Sequence, residues 1–253
     1  PADRLIVAAG GLAGGKLGGS DSGYRLLQRF GHSCTPLSPS LVQIKTDNKY
    51  TKALKGVRAE AEVFLMSDKG VISRSSGEVQ FTDYGVSGPA VFEVSRSVSS
   101  EEGEKILKLD LLAQYSEKDL TLMLEERKKS WPEQNLEELL TGFVHNRLGR
   151  VVTRRAGFEF NRRISSLKYS ELIELACLLK RFELPVTGTT GMDQAQVTAG
   201  GVPTSEFDAG TLESKLCKGL FAAGEVLDVD GDCGGYNLQW AWSSGYVAGR
   251  LGS

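Results

Sequence analysis

The chain has 253 residues, 40% of them hydrophobic and 25% charged, enough for a substantial buried core and in line with ordinary globular usage. A formal net charge of −2 excludes any global attraction to nucleic acid or anionic membranes, so such binding would need a local patch. No apolar stretch approaches the roughly 18 to 20 residues of a membrane span, and with only His32 and His145 present a three-histidine metal centre is excluded.

Arg4 to Ala9, "RLIVAA", is a short run of strand formers that ends in glycines, as a buried parallel strand does. After the glycine loop, "SDSGYRLLQRFGH" predicts a helix: Ser20 or Asp21 caps its start, Leu26, Leu27 and Phe30 share a face, and Gly31 stops it. From Pro39 to about Leu112 the pattern changes to short alternating segments, "LVQIKT", "AEVFLM" and "EVQFT", which predict antiparallel sheet in a small barrel or sandwich. Between about Ser116 and Phe182 the periodicity is helical, with a capping box expected at Ser130 to Glu133. Strand-like "AQVTAGGV" and "GLFAAGEVL" follow, then a small-residue-rich helix, "NLQWAWSSGYVAGRLG". The first and last segments have the same character, so the order predicts an α/β nucleotide-binding half interrupted by two insertions. Cys34, Cys177, Cys217 and Cys233 form no CxxC pair, which predicts free thiols in a reducing, cytoplasmic setting.

Several motifs come close to known chemistry and miss. "GGLAGGKL" has Gly10, Gly15 and Lys16 in phosphate-loop register, but Leu17 stands where a hydroxyl must hold magnesium, and GxGxxG fails at every register. In "YGVSGP", Gly88 follows Ser87 directly, so the nucleophile elbow is absent; Ser87 reads as a helix cap and Pro89 as the first helical residue. Arg147, Arg150, Arg154, Arg155, Arg162, Arg163 and Lys168 form a basic cluster without nucleic-acid motifs, which reads as a solvated helix face, with a cofactor phosphate as the alternative. "LDVDGDCGGYNLQW" aligns Asp228, Asp230 and Asp232 as half of a calcium loop, but Cys233 replaces the turn glycine and Gln239 the bidentate glutamate.

The same stretch does fit a strand end, an acid, a glycine pair and a helix start. Gly234 and Gly235 permit close backbone approach, the N–H groups of Tyr236, Asn237 and Leu238 open a helix, and Glu225 can accept hydrogen bonds from ribose or ribityl hydroxyls. A tight turn with surface acids would carry the same residues. The three aspartates read as polar residues of a connecting turn, with Asp228 orienting it through backbone hydrogen bonds.

From "AQVTAGG" through "GLFAAGEVLDVDGDCGGYNLQWAWSSGYVAG" the chain resembles bacterial NAD(P)/FAD-dependent oxidoreductases, the family of BaiN-like bile-acid reductases and aminoacetone-oxidase-like flavoproteins. The likeness extends to "LIVAAGG", "PLSPSLVQI", "EVQFTDYGVSGPAVFEVSR" and "LLKRFELPVTGTTGMDQAQVTAGG", and so spans nearly the whole chain. It implies a partial Rossmann-like FAD domain at 1–38 and 206–253, a β-barrel-like domain at 39–115 with a return strand in 183–205, and a helical insertion at 116–182. It places Gly10 and Gly11 near the FAD nucleotide, Gly224 and Glu225 near the ribityl-diphosphate, and Gly235, Tyr236, Asn237 and Leu238 near the isoalloxazine pyrimidine edge. Ala199, Gly200 and Gly201 would flank the ring.

The implied activity is hydride transfer from NAD(P)H through FAD to a small unsaturated or carbonyl substrate, with no metal, no membrane and no nucleic acid involved and no catalytic side chain assignable. The family's opening strand and GxGxxG turn do not precede Pro1, so the chain reads as an N-terminally truncated fragment, itself inactive, whose open sheet edge invites self-association. The alternative is a non-catalytic assembly module that uses the barrel and the basic helical insertion.

Overall fold

The computed structural model describes residues 2–100 and 103–250. Its strands are β1 (Leu5–Val7), β2 (Ser38–Ser40), β3 (Ile44–Thr46), β4 (Arg58–Ser67), β5 (Gly70–Phe81), β6 (Gly85–Ser87), β7 (Ile106–Asp110), β8 (Phe182–Thr189), β9 (Val197–Ala199) and β10 (Leu220–Ala222). Its helices are α1 (Ser22–Arg29), α2 (Asn48–Thr51), α3 (Pro89–Ser100), α4 (Glu117–Ser130), α5 (Asn146–Arg155), α6 (Tyr169–Lys180) and α7 (Tyr236–Gly249). Among the described residues no helix is long and apolar enough to cross a membrane. The chain divides into two compact units, Pro1–Gln43 with Thr189–Ser253, and Ile44–Gly188.

The first unit joins the two ends of the chain. β1 and β10 pair in parallel, Leu5 with Leu220 through Val7 with Ala222, and β2 pairs antiparallel with β9. Two short strands are marginal alone; α1 and α7 cover this pair through a core that includes Tyr24, Leu27, Phe221, Val226 and Ala248. The buried face of α1 is Gly23, Tyr24 and Leu27, whereas Leu26 and Phe30 are partly exposed, so the predicted Leu26–Leu27–Phe30 face is corrected. The cause is Gly23, where a Cβ would press on Ala9 and Val226; the close approach there turns its neighbours inward. Asp21 occupies the N-cap position without a side-chain cap bond, and Ser20 instead bonds the Ser22 hydroxyl at 2.8 Å.

Buried His32 is a clamp within this unit. Ser214 Oγ accepts the N–H groups of Leu216 and Cys217 at 3.0 and 2.9 Å, so its own hydrogen goes to His32 Nε2 at 2.9 Å. That leaves His32 Nδ1–H to be donated to Glu206 Oε2 at 2.6 Å, while the ring stacks on Phe207 at 4.6 Å. Ser214 is buried, so this Ser–His–Glu arrangement ties segments together and reaches no substrate.

The second unit is a closed barrel of strand order β3-β6-β5-β4-β7-β8. Alternation along β4, β5, β7 and β8 sends Val63, Leu65, Val79, Phe81, Leu107, Leu109, Phe182 and Leu184 inward, all fully or almost fully buried. Pro89 opens α3 as expected, but the cap is Gly88, whose carbonyl accepts Val91 and Phe92 N–H; Ser87 is held in β6. The capping box lies at Ser116 and Asp119 at the start of α4, while Ser130 ends that helix, so the box expected at Ser130 is corrected. Of "LVQIKT" only Ile44–Thr46 is strand.

The domain boundaries also differ from expectation. Pairing of β2 with β9 takes residues 39–43 and 189–205 into the first unit, and β8 is the strand that returns to the barrel. Residues 116–182 are no separate body: α4 and α6 leucines share one core with the barrel strands, and Lys180 Nζ reaches Asp110 at 2.6 Å. An amphipathic helix layer buries its apolar stripe on the nearest apolar surface, here the same cluster to which the inward-facing strand residues belong.

Candidate functional site

The site grows from the carboxyl ends of β1 and β10, which lie side by side. Beyond β1 the chain turns at Gly10, whose φ is 70°, and passes Gly11, where any Cβ would collide with Glu225 Oε1 and Thr198 Oγ1. A side chain there would have to displace the Glu225 carboxylate and the Thr198 hydroxyl. Thr198, 1% exposed, is the hub: its Oγ1 accepts the N–H groups of Leu12 and Ala13, both at 2.8 Å, and its own N–H is donated to Glu225 Oε1 at 2.8 Å. One carboxylate oxygen of Glu225 is thereby fixed by the fold.

Beyond β10, Gly224 is gripped from both sides by α7. Its N–H is donated to Ser244 Oγ at 2.9 Å and its carbonyl accepts Trp240 Nε1–H at 3.1 Å. The loop that follows is closed by Asn237, whose amide accepts Gly231 N–H and donates to Gly231 O, both at 2.8 Å. Gly235 then caps α7 in the left-handed region at φ 94°, with open space where a Cβ would stand. The first bond of α7 runs from Gln239 N–H to Gly235 O at 2.9 Å, so the N–H groups of Tyr236, Asn237 and Leu238 have no helical partner. They form the positive end of a 14-residue helix.

A cavity of about 330 Å³ lies against this end, lined by Leu41, Gln196, Val197, Glu225, Asp232, Cys233, Gly234, Gly235, Asn237, Leu238 and Ala241. That is at the lower end of small-molecule pockets. Hollows of about 740 and 500 Å³ occur on the barrel unit, but neither is lined by the head of a helix or by a glycine pair. The polar walls influence their neighbours: burial, followed by the charge of Glu225, pushes the Tyr24 phenol up to about 12, and burial and Asp228 push the Cys34 thiol up.

Of the residues expected from the sequence, Glu225, Gly234, Gly235, Asn237 and Leu238 line this cavity. Tyr236 is exposed beside them. Gly10 and Gly11 lie at the β1 turn, and Gly11 touches the same carboxylate. Gly200 and Gly201 have a packing role: a Cβ on Gly200 would strike Pro36 O, and one on Gly201 would press on Leu227 and Asp228. The Asn237 side chain belongs to the loop, which leaves only its backbone N–H for a ligand. Asp228 Oδ2 accepts the Thr35 hydroxyl at 3.0 Å, and among the described residues no group of His, Cys, Asp and Glu could hold a metal ion. All four cysteines are free thiols.

Sequence reasoning missed Thr198, Trp240 and Ser244. A threonine inside an apolar strand is unremarkable on its face; the i,i+4 spacing of Trp240 and Ser244 put both on one face of a helix and was the available signal.

The residues present suit a dinucleotide cofactor's flavin end. The head of α7 offers N–H groups without a helical partner, and Gly10, Gly224 and Gly235 leave open space where side chains would otherwise stand.

Residues 1–251 match the family described as the HI0933-like protein Rossmann domain. The chain is 38% identical to the 3-dehydro-bile acid delta(4,6)-reductase of Clostridium scindens, over 99% of this chain and 62% of that protein. It is 32% identical to the ribosomal RNA dihydrouridine synthase of Haemophilus influenzae, over 96% of this chain and 59% of that one. Against the ribosomal RNA dihydrouridine synthase of Escherichia coli the identity is 30%, over 98% and 60%. The chain thus spans less than two thirds of the length of these relatives.

Proposed function

The chain belongs to the HI0933-like family of Rossmann-domain proteins, and from that membership we propose that it supplies the flavin side of a reductase acting on a carbon–carbon double bond conjugated to a carbonyl. The observation that carries the reading is the shared cavity: Glu225 and the Gly235, Asn237 and Leu238 head of α7 line one space. One relative is named a 3-dehydro-bile acid delta(4,6)-reductase and the other a dihydrouridine synthase, and forming dihydrouridine from uridine is likewise the reduction of a ring double bond. An enone and a uracil present the same acceptor, a double bond whose far carbon takes hydride while the carbonyl takes the charge. FAD, when bound, would supply the hydride chemistry, with NAD(P)H as donor.

The chain's own residues bind and orient. The N–H groups of Tyr236, Asn237 and Leu238 would hold the electron-rich pyrimidine edge, and the second oxygen of Glu225 would accept ribityl hydroxyls. Gly10 and Gly11 would admit the nucleotide portion, and Thr198 keeps Glu225 and the Gly10–Ala13 turn in register. Leu5 and Ile6 are each 39% exposed on β1, which makes this strand the edge at which further chain or a second copy would pair.

The competing reading, an assembly module using the basic helical insertion, loses two of its charges to ion pairs. Arg162 is held bidentate by Glu171 at 2.7 Å, and Arg150 lies 3.4 Å from a Glu137 carboxylate oxygen.

Protein produced at the length of its relatives should purify yellow and bleach anaerobically with NADH or NADPH. A colourless protein that ignores added FAD would refute the proposal.

A further inference from the structure

We propose that the hollow of about 500 Å³ on the barrel unit is a binding site for a small aromatic monocarboxylate, its acid group held by Arg127 and its ring by Trp131 and Phe143. All the lining residues belong to the barrel unit, so the site stands independently of the flavin reading. α4 supplies most of the wall. Leu120, Thr121 and Leu124 turn into the core, whereas Leu122, Met123, Glu126, Arg127, Ser130 and then Trp131 follow at helical spacing along a second face. Pro132 cannot continue the helix, which leaves Trp131 one turn beyond Arg127. Phe143, in the turn after Gly142, completes the lining. Leu122 and Trp131 are 44% and 38% exposed, so this apolar wall is open to solvent.

Several cations of this unit rest on carbonyls or rings, but Arg127 does so in the wall of a hollow whose lining also holds both of its rings. Its guanidinium lies 4.6 Å from the Trp131 ring centroid and 4.4 Å from that of Phe143. Nη1 makes both of its hydrogen bonds, to Leu139 O at 3.0 Å and to Thr141 O. Nε and Nη2 have no protein partner among the described residues, and neither is sealed from solvent. Burial pushes this guanidinium below its ordinary value, and no acid opposes the shift. A partly desolvated charge without a counter-ion gains most from an anion. Glu126, the acid of the lining, is taken by Lys129 at 2.7 Å; that pair cancels, and Arg127 gives the hollow one net positive charge. One positive charge matches a monoanion, and the Nε–Nη2 edge is a planar fork that fits the two oxygens of a carboxylate. Two rings and the Met123 sulfur favour a flat aromatic body, which gains from stacking and from sulfur contact. The volume lies in the range of small-molecule pockets.

Binding of 2-naphthoate to the full chain tests this, measured by equilibrium dialysis and by the nitrogen-resolved NMR signals of Arg127 Nε–H and the Trp131 indole N–H. Naphthoate should bind and shift both signals. The uncharged 2-naphthamide, equal in shape, should bind about tenfold more weakly, as expected when a charged hydrogen-bonded pair is lost. Arg127→Lys keeps the charge but loses the fork, and should weaken naphthoate about tenfold while leaving naphthamide unchanged. Arg127 also braces the turn that carries Leu139 and Thr141, so a second variant guards against a folding defect. Leu122 lines the hollow on an exposed position of α4, and Leu122→Asp should repel naphthoate by a similar factor without disturbing the core. Naphthoate that fails to bind or binds no more tightly than naphthamide, variants that bind it as wild type does, or shifts at the head of α7 in place of Trp131 would each overturn the proposal. None of these outcomes bears on the flavin reading, which is read by absorbance.

Discussion

Thr198→Val should damage the site far more than its size suggests, because valine matches threonine in shape while removing the hub. The hydroxyl accepts two backbone N–H groups, those of Leu12 and Ala13. A donor stripped of its acceptor out of water costs about 1 to 3 kcal/mol, so two partly buried donors together cost roughly 2 to 4 kcal/mol. Thr198→Ser keeps the oxygen and loses one buried methyl, worth about 1 kcal/mol. For a protein of this size each kcal/mol lowers Tm by roughly 2 to 4 °C, so the valine variant should melt about 4 to 16 °C below wild type and the serine variant only about 2 to 4 °C below. Hydrogen exchange gives the sharper reading: the amides of Leu12 and Ala13 should lose protection in the valine variant and keep it in the serine variant. If valine and serine variants melt together with both amides still protected, Thr198 does not organise the turn and the account of the site fails.

Other outcomes follow from the same contacts. The Arg162 guanidinium, aided by Lys168 N–H, holds the Glu171 carboxyl at about 2, below its ordinary 4.5. A depressed carboxylate stabilises the fold above its unfolded value and loses that contribution as pH falls, so Tm should drop between about 4.5 and about 2, and Glu171→Gln should flatten that part of the Tm–pH curve. Gly11→Ala forces a Cβ into Glu225 and should weaken flavin binding by full-length protein, measured by titration with FAD, more than it lowers Tm.

Much of the architecture was legible because it is local. The apolar run at Leu5–Val7 bounded by glycines, the alternation through Arg58–Phe81 and the glycine pair before Tyr236 each state their element within a dozen residues. The same local reading failed at Leu26 and Phe30, where 3.6-residue periodicity allows two faces and only the contact at Gly23 chooses between them. It failed again at Ser130, whose capping pattern is real in sequence but falls where α4 is already ending.

Sequence by itself therefore determined the α/β character, the order of textures and the glycine turn beside Glu225 against which the cavity lies. Tertiary structure decided how the site is held and which charges remain free. Thr198 meets Leu12 and Ala13 across 186 and 185 positions and Glu225 across 27, and no periodicity records such distances. The arginines make the same point: in sequence Arg155 and Arg162 are equivalent charges in one cluster. Folding gives Arg162 a carboxylate and Arg155 only a carbonyl and two rings, so one charge is cancelled and the other is displayed.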